Sequence, residues 1–356
     1  MSRLKILNIN PFYLPYNGGI EKRIAAISDR LSGRHSMYVL TSRLPDTPER
    51  ENLHGATVIR LPSRFVGRYN PPYVNSSGID EAISEIDPDI IDYHYRWSGT
   101  YNRAFFSSER PRVMTFHNLY GEGTGLFRLL SILNDVSFVR KLRKINHVLP
   151  VSDFVRNQLT GKGLSGSMMT TSYNGIDIHS CRTRDERFAL FVGRLVPTKG
   201  LIYLLEAARI AGIPVKIAGD GPMLSTVRKH AVDGKVEVLG KVSEEEKERL
   251  LSSCTYMVLP SVQEAFGLVV LEAMVHSKPV IATDSGGLPE VVGDAGTIVP
   301  KKDAGALAGA MKSYWENDSL VAEKGELARK RAEVFSWDRA IGKIESVYNS
   351  VVASAA

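Results

Sequence analysis

Along this chain, short apolar runs alternate with longer stretches of helical periodicity. The run LKILNIN (4–10) reads as a strand, and GGIEKRIAAISDRLS (18–32), which follows it, reads as a helix. MYVLTS, TVIRLP, DIIDYHY, PRVMTFH and HVLPVS are further strand candidates in the first half. The second half repeats the plan: FALFVG (188–193), VKIAG, VEVLG, YMVLP, PVIATD and GTIVP each precede a turn and a helix-like segment. This alternation predicts an α/β fold of parallel sheets with helices on both faces. Two such halves imply two doubly wound lobes. The junction falls near NGIDIHSCRTRDER (174–187), a polar stretch with a turn signal and little periodicity.

A length of 356 residues is long for one domain and natural for two. With 43% hydrophobic and 24% charged residues, the composition is that of a soluble globular protein. Cys181 and Cys254 fit no metal-ligand spacing and read as free thiols in a reducing compartment. The opening MSRLKILNINPFYLP, interrupted by Asn8 and Asn10, has too short an apolar run for a signal peptide. No stretch reaches the roughly 18 apolar residues of a spanning helix. A cytoplasmic location is therefore expected. The net charge of +6 points to anionic partners such as phosphates, nucleic acid or a lipid surface. No zinc-finger, RRM or helix-turn-helix signature is visible, so nucleic acid is not expected.

In open α/β sheets, ligands bind beyond the carboxyl ends of strands, so residues that directly follow strands carry the chemistry. Gly18 and Gly19 open a helix after the first strand. They read either as a tight turn or as bare backbone where a phosphate or sugar approaches a helix N-terminus. FVGRLVPTKG (191–200) sets Arg194 and Lys199 beyond a strand and before a helix. Two cations there suit a diphosphate, and equally suit a solvated loop. His117 ends PRVMTFHN, where it can donate to a phosphate or sugar oxygen or act as acid or base; His94, after DIIDYHY, has similar placement. AGDGP (218–222) is accounted for by turn chemistry. Asp87 and Asp89 in DPD mimic a metal motif but precede a strand, and no metal is expected there.

SVQEAFGLVVLEAMV (261–275) is an apolar segment carrying two acids, Glu264 and Glu272. A lone buried carboxylate costs several kcal/mol unless paired or hydrogen-bonded. If the helix begins near Ala265, Glu264 sits at its start, where the dipole favours negative charge. Eight residues then separate the carboxylates by about 12 Å along one helix, on neighbouring sides. That span matches two parts of one elongated polar ligand. The alternative for Glu272 is simple pairing with a neighbouring cation.

Taken together, the Gly18–Gly19 turn, GRLVPTKG, AGDGP, EAFGLVVLE with its Glu-x7-Glu spacing, and PVIATDSGGLPEVV resemble the retaining glycosyltransferases of family GT4. The resemblance covers nearly the whole chain. It implies the GT-B architecture: two Rossmann-like lobes facing a central cleft. The lobes are expected at 1–175, on the acceptor side, and 176–335, binding the nucleotide sugar; residues 336–356 form a last helix that crosses back to the first lobe. It further implies that Arg194 and Lys199 hold the donor diphosphate and that Gly19 approaches the phosphate. Glu264 is expected at the donor-sugar hydroxyls, the amides of Phe266, Gly267 and Leu268 (with Ala265 beside them) at sugar or phosphate, and Glu272 at the ribose. His117 is expected at the donor sugar, and Lys241 and Val242 near the base. Hexose transfer would need no metal and no other cofactor. The acceptor would be a glycan or a lipid-linked molecule.

The segment GLFRLLSILNDVSFVRKLRKINHVL (125–149) mixes apolar residues with Arg128, Arg140, Lys141, Arg143 and Lys144. It reads as a helix with one core face and one solvated face, or as a peripheral attachment to an anionic membrane. RYNPPYVNSSG (68–78) reads as a mobile acceptor-side loop. The two competing functions are a nucleotide-sugar epimerase of the same architecture and a non-catalytic sugar-binding protein.

Overall fold

The computed structural model describes residues 3–16, 18–66, 72–180, 183–231 and 234–355, apart from the side chain of Phe127. Cys181 and residues 68–71 of the expected loop lie outside the described residues. The chain divides into two compact units. The first comprises Met1–Tyr120, Leu129–Asn174 and Trp337–Ala356; the second comprises Gly121–Arg128 and Gly175–Ser336. Inclusion of Gly121–Arg128 in the second unit departs from a continuous lobe over 1–175.

The strands of the first unit are β1 (Lys5–Ile9), β2 (Ser36–Ser42), β3 (Arg50–Leu53), β4 (Ala56–Leu61), β5 (Ser63–Val66), β6 (Tyr73–Ser76), β7 (Ile90–Tyr93), β8 (Arg112–Phe116) and β9 (His147–Pro150). Seven of them make one sheet in the order β3-β4-β2-β1-β7-β8-β9, parallel except for β3 against β4. Strands covered on both faces need apolar side chains in both directions, and all four residues of β7 are buried. β5 and β6 pair as a separate antiparallel ribbon. Tyr73–Ser76 is thus a strand and not the loop expected over 68–78. Asp87 and Asp89 are structural: Arg110 donates to Asp87, and Asp89 accepts from the Lys5 amide at 2.7 Å.

The terminal helix Trp337–Ala355 belongs to this unit. Its Trp337, Ile341, Ile344, Tyr348 and Val351 join the core with Ile6, Ile24, Ile27 and Val39. A buried polar cluster lies beneath it. Asp92, fully buried, accepts from Tyr348 at 2.6 Å and from Thr115 at 2.8 Å. Arg23, also buried, donates to the Ser172 and Tyr173 carbonyls and to the Asn174 side chain.

The second unit holds β10 (Ala189–Val192), β11 (Val215–Ala218), β12 (Val236–Gly240), β13 (Tyr256–Leu259), β14 (Val280–Thr283) and β15 (Gly296–Val299). They form a wholly parallel sheet ordered β12-β11-β10-β13-β14-β15. The chain winds outward from β10 to β12, then returns to start β13 on the other side of β10. That reversal creates a switch point between β10 and β13, where an open parallel sheet leaves a crevice at its carboxyl edge. The first unit has its own reversal between β1 and β7.

Candidate functional site

The switch point of the second unit receives the loops after β10 and β13, and these carry Arg194, Lys199 and Glu264. After β10 the chain passes Gly193 and Arg194 and makes a 3-10 turn over Pro197–Lys199, leading into the helix Leu201–Ala211. Its turn is bound to its neighbour: the Thr198 carbonyl accepts from the amides of Val262 and Gln263 at 2.7 and 3.2 Å. On the other side, Thr283 donates to the Ser261 carbonyl at 2.5 Å, and Gly287 donates to the Glu264 carbonyl at 3.0 Å. The AGDGP turn backs the same loop. Gly219 has φ +151°, and a Cβ there would stand 1.8 Å from the Gly193 oxygen. Glycine is required by this close approach of two backbones.

Within this knot Lys199 Nζ donates to Glu264 Oε2, and Ser261 Oγ donates to the same oxygen at 3.4 Å. Both partners keep some exposure, 17% for Lys199 and 14% for Glu264, so the pair meets solvent and is not sealed in protein. Arg194 is exposed, two residues beyond the end of β10. The structure therefore brings a carboxylate and a lysine into contact at the crevice, with an exposed arginine on the same loop as the lysine.

Glu264 does not begin the helix. The helix runs Leu268–Val275, with Gly267 before it at φ +91°. A side chain on Gly267 would stand 2.6 Å from Leu288 Cδ2, so this left-handed, crowded position stops the helix from reaching back to Ala265. The expectation of two acids on one helix fails for that reason: Glu264 belongs to the loop, and Glu272 alone to the helix. Phe266 is buried and packs edge-on against Phe335, while Gly267 and Leu268 form the helix start.

Glu272 is paired. Lys247, from the helix Glu244–Ser253, donates to it at 2.9 Å and bonds Glu244 at the same distance. Burial works to lower the Lys247 pKa, but Glu272 and Glu244 together raise it above its ordinary value. Glu272 remains 16% exposed. Lys247, within EEEKERLLSS, was not singled out in sequence. Gln263 was missed as well. Its side-chain amide bonds both ways with the Gly123 backbone, at 2.8 and 3.0 Å. Lys241 and Val242 follow the edge strand β12, two strands from β10, and no described contact ties them to Arg194 or Glu264.

In the first unit, Gly18 caps and Gly19 begins the helix Gly19–Leu31 after β1. Gly18 has φ −134°, Gly19 is not among the positive-φ glycines, and a Cβ on Gly19 meets nothing within 4 Å. The turn therefore does not require glycine at position 19, whereas a Cβ on Gly18 would meet Oε2 of the buried Glu21, a carboxylate already set at the helix start. His117 follows β8, and its Nε2 lies 3.0 Å from His94 Nδ1, after β7. His94 Nε2 faces Asn8 Oδ1 at 3.1 Å. The Asn8 amide sets the tautomers of the pair: with its oxygen toward His94, His117 Nδ1 is an acceptor, and with its nitrogen there, His117 Nδ1 is a donor.

Burial holds both rings neutral. It lowers His94 to about 4, partly offset by Asp92, and lowers His117 well below its ordinary value, with His94 and Arg23 adding to the shift. A histidine depressed on folding stabilises the protein fully above its unfolded value near 6.5, and that stability is lost as pH falls. The urea midpoint of the first unit should therefore drop between about pH 6.5 and pH 4, and His117→Asn should flatten the slope. An unaltered slope in that variant would remove the pair as its source.

The family model "Glycosyltransferase Family 4" matches residues 17–180, and "Glycosyl transferases group 1" matches 180–331. An uncharacterized glycosyltransferase of Methanocaldococcus jannaschii is 27% identical over 348 residues, covering 95% of this chain and 96% of the relative. The phosphatidyl-myo-inositol mannosyltransferase of Mycolicibacterium smegmatis is 27% identical over 372 residues, covering 98% and 94%. In fold the chain is similar to sucrose-phosphate synthase from Thermosynechococcus elongatus, with a TM-score of 0.80 at 18% identity over 99% of this chain and all of that one. It is also similar to Anabaena HepE, solved in complex with UDP and glucose, with a TM-score of 0.78 at 19% identity over 98% and 100% of the two chains. The two family models together span residues 17–331, and the chain belongs to glycosyltransferase family 4, with the GT-B architecture of the glycosyltransferases whose fold it shares.

Proposed function

We propose that this glycosyltransferase moves a hexose from a UDP- or GDP-linked donor to an acceptor hydroxyl, with retention at the anomeric carbon and without a metal. The observation that carries the reading is the Lys199–Glu264 contact at the switch point of the second unit, on a loop that also carries Arg194. Glu264 accepts from hydroxyls of the donor sugar. Arg194 and Lys199 neutralise the charge that grows on the diphosphate as the glycosidic bond breaks. The departing diphosphate takes the acceptor's proton, the acceptor oxygen bonds to the same face of the anomeric carbon, and no protein nucleophile intervenes. Glu272, held by Lys247, accepts from the ribose hydroxyls. In the first unit, Gly19 is exposed at the helix start and could be approached by a phosphate only beside the Glu21 carboxylate, and His117 Nδ1 suits a sugar hydroxyl. The HepE complex with UDP and glucose supports a nucleotide-sugar donor, and the mannosyltransferase relative, by its name, acts on phosphatidyl-myo-inositol.

Thermal-shift screening against UDP-, GDP- and ADP-sugars should pick out one donor series, because selective binding stabilises the fold by mass action. Transfer assays with that donor should give equal rates with and without added Mg²⁺ after chelation. A strict Mg²⁺ requirement counts against charge neutralisation by Arg194 and Lys199 alone. Interconversion of the donor sugar with no product on any acceptor would favour an epimerase, and binding without turnover a sugar-binding protein.

A second observation concerns the acceptor. The helix Gly125–Leu142 exposes Leu126, Leu129, Leu130 and Leu133, at 70%, 54%, 51% and 60%. The spacing of these positions puts them on one stripe. Arg128, Arg140, Lys141, Arg143 and Lys144 are exposed around it and just beyond it. No described helix is long and apolar enough to cross a membrane. An exposed leucine stripe flanked by cations suits peripheral attachment to anionic lipid, which would present a lipid-linked acceptor on the cytoplasmic face. Vesicles rich in anionic lipid should co-float the protein at low salt, and Leu130→Glu with Leu133→Glu should abolish co-flotation. Wild-type protein that stays at the bottom of the gradient retires this reading.

A further inference from the structure

One cluster in the second unit takes no part in the proposed donor chemistry. His179 lies just past the junction, Glu248 on the helix Glu244–Ser253, and His276 at the end of the helix Leu268–Val275. One ligand atom from each lies within 4.8 Å of the others. We propose that His179, Glu248 and His276 form a binding site for a borderline first-row divalent cation, Zn²⁺ above all, with its remaining positions completed by water.

The donor set carries the choice of metal. Two imidazoles and a carboxylate suit zinc and its neighbours and not Mg²⁺ or Ca²⁺, which take oxygen ligands. Ligand atoms about 2.0–2.1 Å from a tetrahedral zinc stand roughly 3.3 Å apart. Here His276 Nε2 is 2.8 Å from Glu248 Oε2, and His179 Nε2 is 4.0 Å from that oxygen. These two distances bracket the tetrahedral value, and the two imidazoles lie within 4.8 Å of each other, so a rearrangement of the exposed His179 side chain would close the site. The imidazole rings stand at 83° with centroids 5.8 Å apart, so neither ring covers the face of the other.

The chemistry of each ligand fits. His276 is largely buried and presents Nε2 to Glu248, with His179 at the exposed side of the same carboxylate. Lys247, beside Glu248 in sequence, is engaged by Glu244 and Glu272. His179 and Glu248 are about half exposed, which gives an ion a route from solvent. His276 Nδ1 is buried with no described hydrogen-bond partner, so the ligand lacks the outer support that strengthens metal sites. Affinity should therefore lie below that of structural zinc sites. Bound metal would fasten the chain around His179 to two helices, one of which carries Glu272.

The test is binding and not turnover, so it stands apart from the proposed activity. Tag-free, chelator-treated protein is titrated with Zn²⁺ against a chromogenic chelator, and with Co²⁺ followed by visible absorption. One equivalent should bind, with cobalt bands of tetrahedral or five-coordinate intensity. His179→Ala, at an exposed position that leaves the fold intact, and Glu248→Gln should each weaken binding at least fivefold. Absence of stoichiometric binding in the wild type, or a smaller loss in His179→Ala, overturns the site.

Discussion

Lys199→Ala and Glu264→Ala should each fold and lose roughly 10²- to 10³-fold in transfer rate, the effect of removing one well-placed stabilising group from a transition state. The two residues touch, so each truncation strips its partner of its contact as well as its own. The structural cost is smaller. Both side chains are mostly buried but reach solvent, at 17% and 14%, so truncating one leaves its partner short of a contact at a cost of about 1–3 kcal/mol. Melting temperatures should therefore move by several degrees while turnover collapses. Because the residues act as a unit, the double variant should be little worse than either single one. Wild-type turnover in either folded variant would remove Lys199 and Glu264 from the donor site.

Asp92→Ala should destabilise the first unit by about 3–5 kcal/mol, the range for a buried charge that loses its partner. Asp92 is wholly buried and accepts from Tyr348 and Thr115. It also opposes the burial that lowers buried Arg23 to about 10. Its removal orphans two hydroxyls and leaves Arg23 less compensated. Tyr348→Phe removes a single hydrogen bond and should cost only about 1–2 kcal/mol. Two-unit chains need not unfold in one step, so hydrogen exchange in β1 and β7 is the suitable measure. Equal costs for the two variants would show that hydrogen bonding alone, and not compensation of charge, sets the value of this cluster. The terminal helix carries Tyr348, so both variants should also loosen Trp337–Ala355.

What could be read from the chain followed the distance over which its signals act. Every parallel strand was visible as an apolar run, because a strand covered on both faces needs apolar residues on both faces. β3, with its sequence RENL, and the ribbon β5–β6 escaped because they are half exposed or more and show no such run. Lys199 and Glu264 were legible because each directly follows a strand, and the alternation of strands and helices says which strand ends are informative. Their contact was not legible: 65 residues separate them, and only the return of β13 to the flank of β10 brings them together. The same holds for Lys247 and Glu272, 25 residues apart on two helices. It holds also for His94 and His117, whose separate strands become neighbours only in the sheet. Gly267 misled because its left-handed backbone ends the helix there, and the space a side chain would need is taken by Leu288, 21 residues on. By itself the sequence determined the parallel strands, the two doubly wound halves and the family, because periodicity and motif spacing are short-range properties. The tertiary structure alone decided which acid meets which base, since strand order and helix packing set those pairings, and no local pattern encodes them.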